Sequence, residues 1–117
     1  MLTATSANGH VVKRPSEPDI GTMLANLGRG NEHMLLDRQE EDLEGDWYIQ
    51  VLLHDNNTYQ LEYRDGVPAE HYQTQTVSQE KVLAALTGWA TGRAGRRDGF
   101  MWNNIGDMFT SAPSPGG

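Results

Sequence analysis

Two alternating stretches separated by a short polar turn constrain the fold more than any other part of this chain. Every second residue from Trp47 to Leu53 is large and apolar, and the pattern resumes from Tyr59 to Tyr63. Alternation with a period of two is typical of a β-strand that has one face on a core. The intervening Asp-Asn-Asn at 55–57 is turn chemistry, because Asn tolerates a positive φ. The sequence therefore predicts a β-hairpin.

The loop length of this hairpin follows from parity. A three-residue loop over 55–57 places Val51 opposite Leu61, whereas a two-residue loop places Val51 opposite Glu62. Only the three-residue loop gathers the large apolar side chains of both strands on one face. We therefore predict that loop, with Asn57 in the left-handed conformation that such loops need.

Further strands flank the hairpin. An apolar run at 33–36 predicts a strand before it, and Asp65-Gly66 predicts a two-residue turn into a strand over 69–76. Pro68 has no N–H group to donate, which favours a sheet edge for this last strand.

Two segments have helical spacing. Apolar residues between Ile20 and Leu27 predict a short N-terminal helix that Asp19 caps and Gly28 ends. A second apolar stripe predicts a C-terminal helix over 78–91, with Ser78 as its cap. Strands followed by a helix indicate the α+β class, here a three- to four-stranded antiparallel meander with the C-terminal helix packed on one face.

The two ends of the chain differ from its middle. Residues 1–19 are polar and contain two prolines, which predicts a disordered arm. Residues 110–117 (Thr-Ser-Ala-Pro-Ser-Pro-Gly-Gly) predict a disordered tail. We therefore expect a single domain over residues 20–109.

Composition restricts the classes of function. The 117 residues carry a net charge of −7, which repels phosphate backbones and favours a cationic partner. The absence of cysteine excludes disulfides, thiolate chemistry and zinc sites with cysteine ligands. No apolar run reaches the roughly 18 residues of a membrane span, and residues 1–19 lack the apolar core of a signal peptide. We expect a cytoplasmic protein without a membrane partner.

Six acids fall in one ten-residue stretch, 37–46, against a single arginine. Such a stretch is either a solvated loop or the ligand of a basic groove, where charge complementarity speeds association. The acids expected to meet a partner are Glu40, Glu41, Asp42 and Glu44.

The side of the hairpin that faces away from the predicted core is a second candidate surface. Its mixture of polar and aromatic side chains suits protein contacts, and the alternatives are ordinary surface or a face covered by the N-terminal helix. Tyr48 and Leu52 are expected at its centre, with Arg64 on the same face.

A basic loop flanked by glycines contains Arg93, Arg96 and Arg97. Guanidinium groups suit phosphate or carboxylate, which makes this loop a candidate phosphate site. The alternative is a plain surface loop.

No histidine or serine stands in a catalytic pattern. His54 with Asp55 would hold a metal only weakly, and no histidine pair has the i, i+4 spacing of a helical metal site. Glu70 and His71 are neighbours on a strand, so their side chains point to opposite faces and cannot act together. We predict no catalytic residue, no metal and no cofactor.

A tyrosine-rich hairpin and a helix end with tryptophan carry a resemblance to known sequences. The segment Tyr-Gln-Leu-Glu-Tyr-Arg-Asp-Gly at 59–66, then Pro68, His71-Tyr72 and Ala-Leu-Thr-Gly-Trp-Ala at 85–90, resembles a group of small actinobacterial proteins over about residues 46–103. The resemblance implies a bacterial source and the order strand, strand, strand, helix. It implies no catalytic residue.

These patterns together predict a non-enzymatic protein-binding module, monomeric or homodimeric, with an immunity-like or regulatory role as its most specific form. The alternative is a nucleic-acid or phosphate-binding module that uses the Arg93–Arg97 loop.

Overall fold

A single antiparallel sheet organises the chain. The computed structural model describes residues 1–92 and 100–110. Its strands are β1 (Leu2–Ser6), β2 (Val11–Lys13), β3 (His33–Arg38), β4 (Asp46–Leu53), β5 (Tyr59–Gly66), β6 (His71–Thr76) and β7 (Asn103–Asn104). They lie side by side in the order β2-β1-β3-β4-β5-β6-β7.

In the described part of the chain three helices accompany the sheet: α1 (Glu17–Ala25), α2 (Gln79–Ala90) and α3 (Asp107–Thr110). The α+β class and the antiparallel sheet are confirmed, but the predicted meander of three or four strands understates a sheet of seven. In the described residues the longest helix has 12 residues, and none of them is long and apolar enough for a membrane span, which needs about 20 residues.

The central hairpin has the predicted register. Val51 of β4 lies opposite Leu61 of β5, and Asn57 has a φ of 63°. A hydrogen bond of 2.9 Å from the His54 N–H to the Thr58 carbonyl closes the three-residue loop. Parity thus places the large apolar side chains of both strands on one face.

The turn between β5 and β6 lies further along the chain than predicted. Asp65 still belongs to the ladder, since its N–H donates to the Glu70 carbonyl (2.9 Å), and Glu70 N–H to the Val67 carbonyl (3.0 Å) closes the turn. Pro68 takes the second position of this turn, where its fixed φ is favoured. The predicted two-residue turn at 65–66 is therefore wrong. The register shifts by an even number of residues, so the same side chains still face the core.

Residues 1–19 form β1, β2 and the start of α1, where the sequence predicted a disordered arm. Asn8-Gly9 turns the chain between the two strands, with Gly9 at a φ of 89°. A strand with one face on the core buries only every second side chain, and here those side chains are small: Ala4 is fully buried and Ser6 nearly so. The low apolar content of this segment therefore suffices for strands.

The first helix begins before its predicted cap. The Ser16 hydroxyl accepts the Asp19 N–H (3.1 Å), and the Asp19 carboxylate accepts the Ser16 N–H (2.9 Å). This reciprocal pair is a capping box, in which Asp19 is the third residue of the helix rather than its cap. Pro18 suits the first turn, where its missing N–H needs no partner. The helix ends at Ala25, before the predicted Gly28.

Both longer helices cover the same side of the sheet. Buried side chains of α1 and α2 join the inward residues of the central strands in one core: Ile20, Met23, Leu24, Val82, Ala85, Leu86, Trp89, Met34, Leu36, Ile49, Val51, Leu61 and Tyr63. The opposite side of the sheet is left without either helix.

The end of β3 stabilises the end of α2. Arg38 donates to the carbonyls of Ala90 (3.1 Å) and Trp89 (3.4 Å), and its guanidinium lies 5.1 Å from the centre of a Trp89 ring. A cation at a helix C-terminus satisfies orphan carbonyls and complements the helix dipole.

The segment after residue 99 returns to the sheet. Trp102 packs edge-on against Tyr63 with ring centres 4.8 Å apart, and Phe100 lies beside Trp102. These contacts place Phe100 and Trp102 against the core. Of the tail predicted over 110–117, only Thr110 lies within the described residues, where it ends α3.

Candidate functional site: the open face of the sheet

The side of the sheet that α1 and α2 do not cover is here called the open face. Strand alternation gives it the residues His33, Leu35, Asp37, Tyr48, Gln50, Leu52, Gln60, Glu62, Arg64, His71, Gln73 and Gln75 on β3 to β6. Most of these side chains are half-buried. The face therefore combines ordered polar groups with partial access to solvent.

A glutamate and a histidine form the centre of the open face. Glu62 Oε1 lies 2.9 Å from His71 Nε2, and the His71 side chain is only 1% exposed. Phe109 of α3 covers the imidazole, with ring centres 4.4 Å apart. The pair joins β5 to β6.

Arg64 determines which nitrogen of His71 carries the proton. The Arg64 Nε–H donates to His71 Nδ1 at 3.1 Å, so that nitrogen is an acceptor. The proton then resides on Nε2 and is donated to Glu62. His71 is accordingly a neutral imidazole with both nitrogens bonded.

Two glutamines complete the surroundings of the Glu62 carboxylate. Its Oε2 atom accepts from Gln60 Nε2 (2.9 Å) and from Gln50 Nε2 (3.2 Å). The Gln60 amide oxygen is bonded in turn to His54 Nε2 at 2.8 Å. Within the described residues the carboxylate thus has three donors, all of them uncharged.

Tyr48 and Arg64 lie together at one end of this network. The Arg64 guanidinium is 5.7 Å from the Tyr48 ring centre and 4.8 Å from that of Phe109, and its Nη1 is 3.8 Å from Asp46. Burial raises the pKa of the Tyr48 hydroxyl, and the positive charge of Arg64 opposes part of that rise. Tyr48 is therefore neutral at ordinary pH.

The predicted acids form an exposed loop at the same end of the sheet. Glu40, Glu41, Asp42 and Glu44 are all exposed between β3 and β4. The Trp47 indole N–H holds the loop by donating to the Glu44 carbonyl (2.8 Å), and the Met1 ammonium lies 3.9 Å from Glu40. We call this loop, residues 39–45, the acidic rim.

The predicted site residues thus fall into two groups. Tyr48 and Arg64 pair across β4 and β5 next to the acidic rim. Leu52 lies four residues further along β4, roughly 13 Å away. It borders a separate cavity of about 200 Å³ lined by His33, Gln50, Val51, Leu52 and Glu62. The candidate phosphate residues Arg93, Arg96 and Arg97 lie outside the described residues.

The acid that contacts His71 differs from the one weighed in the sequence. Glu70 points away from His71, as strand alternation requires, and its carboxylate instead accepts the Tyr72 hydroxyl. Glu62 meets His71 across the strand pair. The signal for this contact is the hairpin register, which places positions 62 and 71 on one face even with the wrong turn.

This geometry limits what the network can do chemically. Neither nitrogen of His71 is left to exchange a proton with an outside ligand, and Phe109 covers the ring. The arrangement fixes the Glu62 carboxylate rather than exposing an acid–base pair. In residues 1–92 and 100–110 no cluster of three or more histidines or carboxylates could hold a metal ion.

Comparison of this chain with protein-family models, with curated proteins and with solved structures finds no match.

Proposed function

We propose that this chain is a non-enzymatic binding module that holds a basic protein partner against its open face and acidic rim. The observation that carries the proposal is the division of the sheet into two sides. One side is filled by α1 and α2, whereas the other presents half-buried aromatic, amide and apolar side chains next to a row of exposed acids.

The charge of the acidic rim favours a basic partner. Glu41, Asp42 and Glu44 have no ion pair within the described chain, and only the Met1 ammonium approaches Glu40. Uncompensated charges beside a binding surface raise the association rate with a partner of opposite charge. The same field, with a chain net charge of −7, repels nucleic acid, so a protein partner is favoured.

The side chains of the open face suit protein recognition. Tyr48 presents a half-buried ring with a polar tip, and Leu52 is a half-buried apolar group on the same strand. Both are of the kind found in protein interfaces, where an apolar patch is bordered by polar groups. An immunity-like or regulatory role would be the most specific form of such binding.

The acidic rim can be tested by charge reversal with a matched control. A partner cross-linked and purified from the native host is titrated against the wild type, Glu41→Lys/Asp42→Lys, and Asp55→Lys/Glu80→Lys. Both variants change the net charge by the same amount at exposed positions, but the second pair lies away from the rim. We expect the rim variant to bind about three- to tenfold more weakly at low salt, mainly through slower association.

The control variant should keep most of its affinity, and the difference between the two variants should shrink as ionic strength rises. Equal affinity of all three proteins at low salt would contradict the role of the rim. The open face is tested separately by Leu52→Asn, which removes the apolar contact without adding charge and should weaken the same partner at every salt concentration. Full binding by this variant would contradict the role of the face.

A further inference from the structure

We infer that the cavity lined by His33, Gln50, Leu52 and Glu62 is a recognition pocket for one lysine side chain of the partner. It measures about 200 Å³ and opens on the open face between β3, β4 and β5. The inference rests on the proposed function, since the lysine belongs to the basic partner. It adds the residue that is recognised and the group that recognises it.

The first argument is an uncompensated charge. The Glu62 side chain is 14% exposed, and its three donors within the described residues are two amides and a neutral imidazole. Within the described residues no arginine or lysine lies within ion-pair distance of it, because Arg64 is directed to His71 and Asp46. A partly desolvated carboxylate gains much from a cation that arrives with a partner.

The second argument is that the carboxylate is already fixed. Gln60, Gln50 and His71 hold its two oxygens in one orientation before any ligand arrives. A pre-ordered acceptor loses little side-chain entropy on binding. The hydrogen bonds around Glu62 therefore fix the floor of a binding pocket.

The number of unused acceptor sites favours lysine over arginine. A carboxylate offers about four lone-pair sites, and three of those of Glu62 are taken, two of them on Oε2. An arginine fork needs both oxygens at once, whereas an ammonium is a point charge that one oxygen can bind. The amide oxygen of Gln50, which lines the cavity and accepts no hydrogen bond within the described residues, provides a second acceptor.

The wall of the pocket suits the rest of a lysine side chain. Leu52 borders the cavity with an apolar, half-buried side chain. Lysine packs its four methylene groups along apolar surface while its ammonium reaches a polar group. An aliphatic wall and a carboxylate floor match these two parts of the side chain.

The test uses a small probe and the full chain. n-Butylammonium is titrated into the protein while the side-chain amide signals of Gln50 and Gln60 are followed by NMR. We expect a saturable shift of both signals, because both amides donate to the carboxylate that the ammonium binds. n-Butanol should give no shift, and n-butylguanidinium a weaker affinity. Equal responses to n-butanol and n-butylammonium would overturn the inference.

Two variants link the response to the pocket. Glu62→Gln should lower the affinity for n-butylammonium at least about tenfold, the loss expected for a hydrogen bond to a charged group, while Glu80→Gln at an exposed position of α2 should keep it. Leu52→Lys places a tethered ammonium at the pocket and should abolish probe binding, whereas Val67→Lys, which adds the same charge at an exposed position of the β5–β6 turn, should retain it. Undiminished binding by Leu52→Lys would overturn the inference even if Glu62→Gln fails to fold.

The failure of this inference can be told apart from that of the proposed function. A partner that binds Glu62→Gln and the wild type equally, yet loses affinity for the rim variant, would overturn the pocket and retain the function. Probe binding in the pocket, combined with a partner indifferent to the rim and to Leu52→Asn, would overturn the function and leave only an ammonium-binding pocket that this partner does not use.

Discussion

Two glycines meet where the chain enters β4 and leaves β5. Gly45 has a φ of 88°, and a Cβ atom there would lie 2.0 Å from the Gly66 carbonyl oxygen. Gly66 has a φ of 86°, and its Cβ would lie 2.9 Å from the Trp47 ring. Both positions exclude a side chain, since the conformation is left-handed and the space is occupied.

At this scale we predict that Gly45→Ala lowers the free energy of unfolding by about 1–3 kcal/mol, because rigid backbone would have to move as well as adopt a strained φ. The matched control is Gly28→Ala, whose Cβ would meet no atom within 4 Å and whose φ is not positive. Its change should stay within about 0.5 kcal/mol. Urea denaturation measures both, and equal losses would contradict the close approach of Gly45 to Gly66.

At the scale of elements, the capping box makes the start of α1 sensitive to acid. The Ser16 backbone N–H donates to the Asp19 carboxylate, and this hydrogen bond is the main reason that the pKa of Asp19 lies below its usual value of 3.8. The Ser16 side chain lowers the pKa further. A pKa lowered by folding means that the charged carboxylate favours the folded state. Its contribution is present above the unfolded pKa and is lost as the pH falls through the folded pKa.

We therefore predict that the stability gap between the wild type and Asp19→Asn is largest near neutral pH and narrows below about pH 4. Asparagine keeps an acceptor for the Ser16 N–H but cannot titrate. Thermal midpoints measured from pH 7 to pH 2 follow the gap. Asp42→Asn, on the acidic rim and outside any helix, is the control. A stability gap that stays constant with pH would contradict the stabilising contribution of the ionised Asp19 carboxylate.

Local chemistry explains which elements the sequence predicted. The β4–β5 hairpin was predictable in full, because alternation, turn residues and parity all agree at 47–63. The β1–β2 hairpin was missed although Asn8-Gly9 is a strong turn signal, since the strands on either side contain few large apolar residues. Seen alone such strands resemble an arm, and their stability comes from pairing with β3, which local pattern does not reveal.

The candidate site was predictable only in part, for a related reason. Tyr48, Leu52 and Arg64 follow from strand alternation, and they do share the open face. The contact of Glu62 with His71 depends on how β5 and β6 are paired. It also depends on the direction of the Gln50, Gln60 and Arg64 side chains, which donate to these two residues. Only the adjacent Glu70 was weighed as a partner of His71 and the pleat of the strand excludes it, so no acid was predicted in contact with His71.

At the scale of the whole molecule, the sheet separates stability from binding. The residues buried against α1 and α2 are those of the core, whereas the proposed contacts lie on the other side. Substitutions of the exposed acids of the acidic rim, Glu40, Glu41, Asp42 and Glu44, are therefore expected to change affinity with little change in folding, since they remove no buried contact. Phe109 is an exception to this separation of stability from binding. It lies on the open face and is 46% exposed, yet it packs on His71 and Arg64.

The order of the strands also has a kinetic consequence. From β3 to β6 each strand pairs with the next along the chain, so those pairs close short loops. The β1 strand must instead join distant partners, such as Thr5 with Leu35, across β2 and α1. Long closures cost more chain entropy and form later. Hydrogen-exchange pulse labelling during refolding should therefore find the Val51 amide protected before that of Ala4, and simultaneous protection would show that the sheet forms as one cooperative unit.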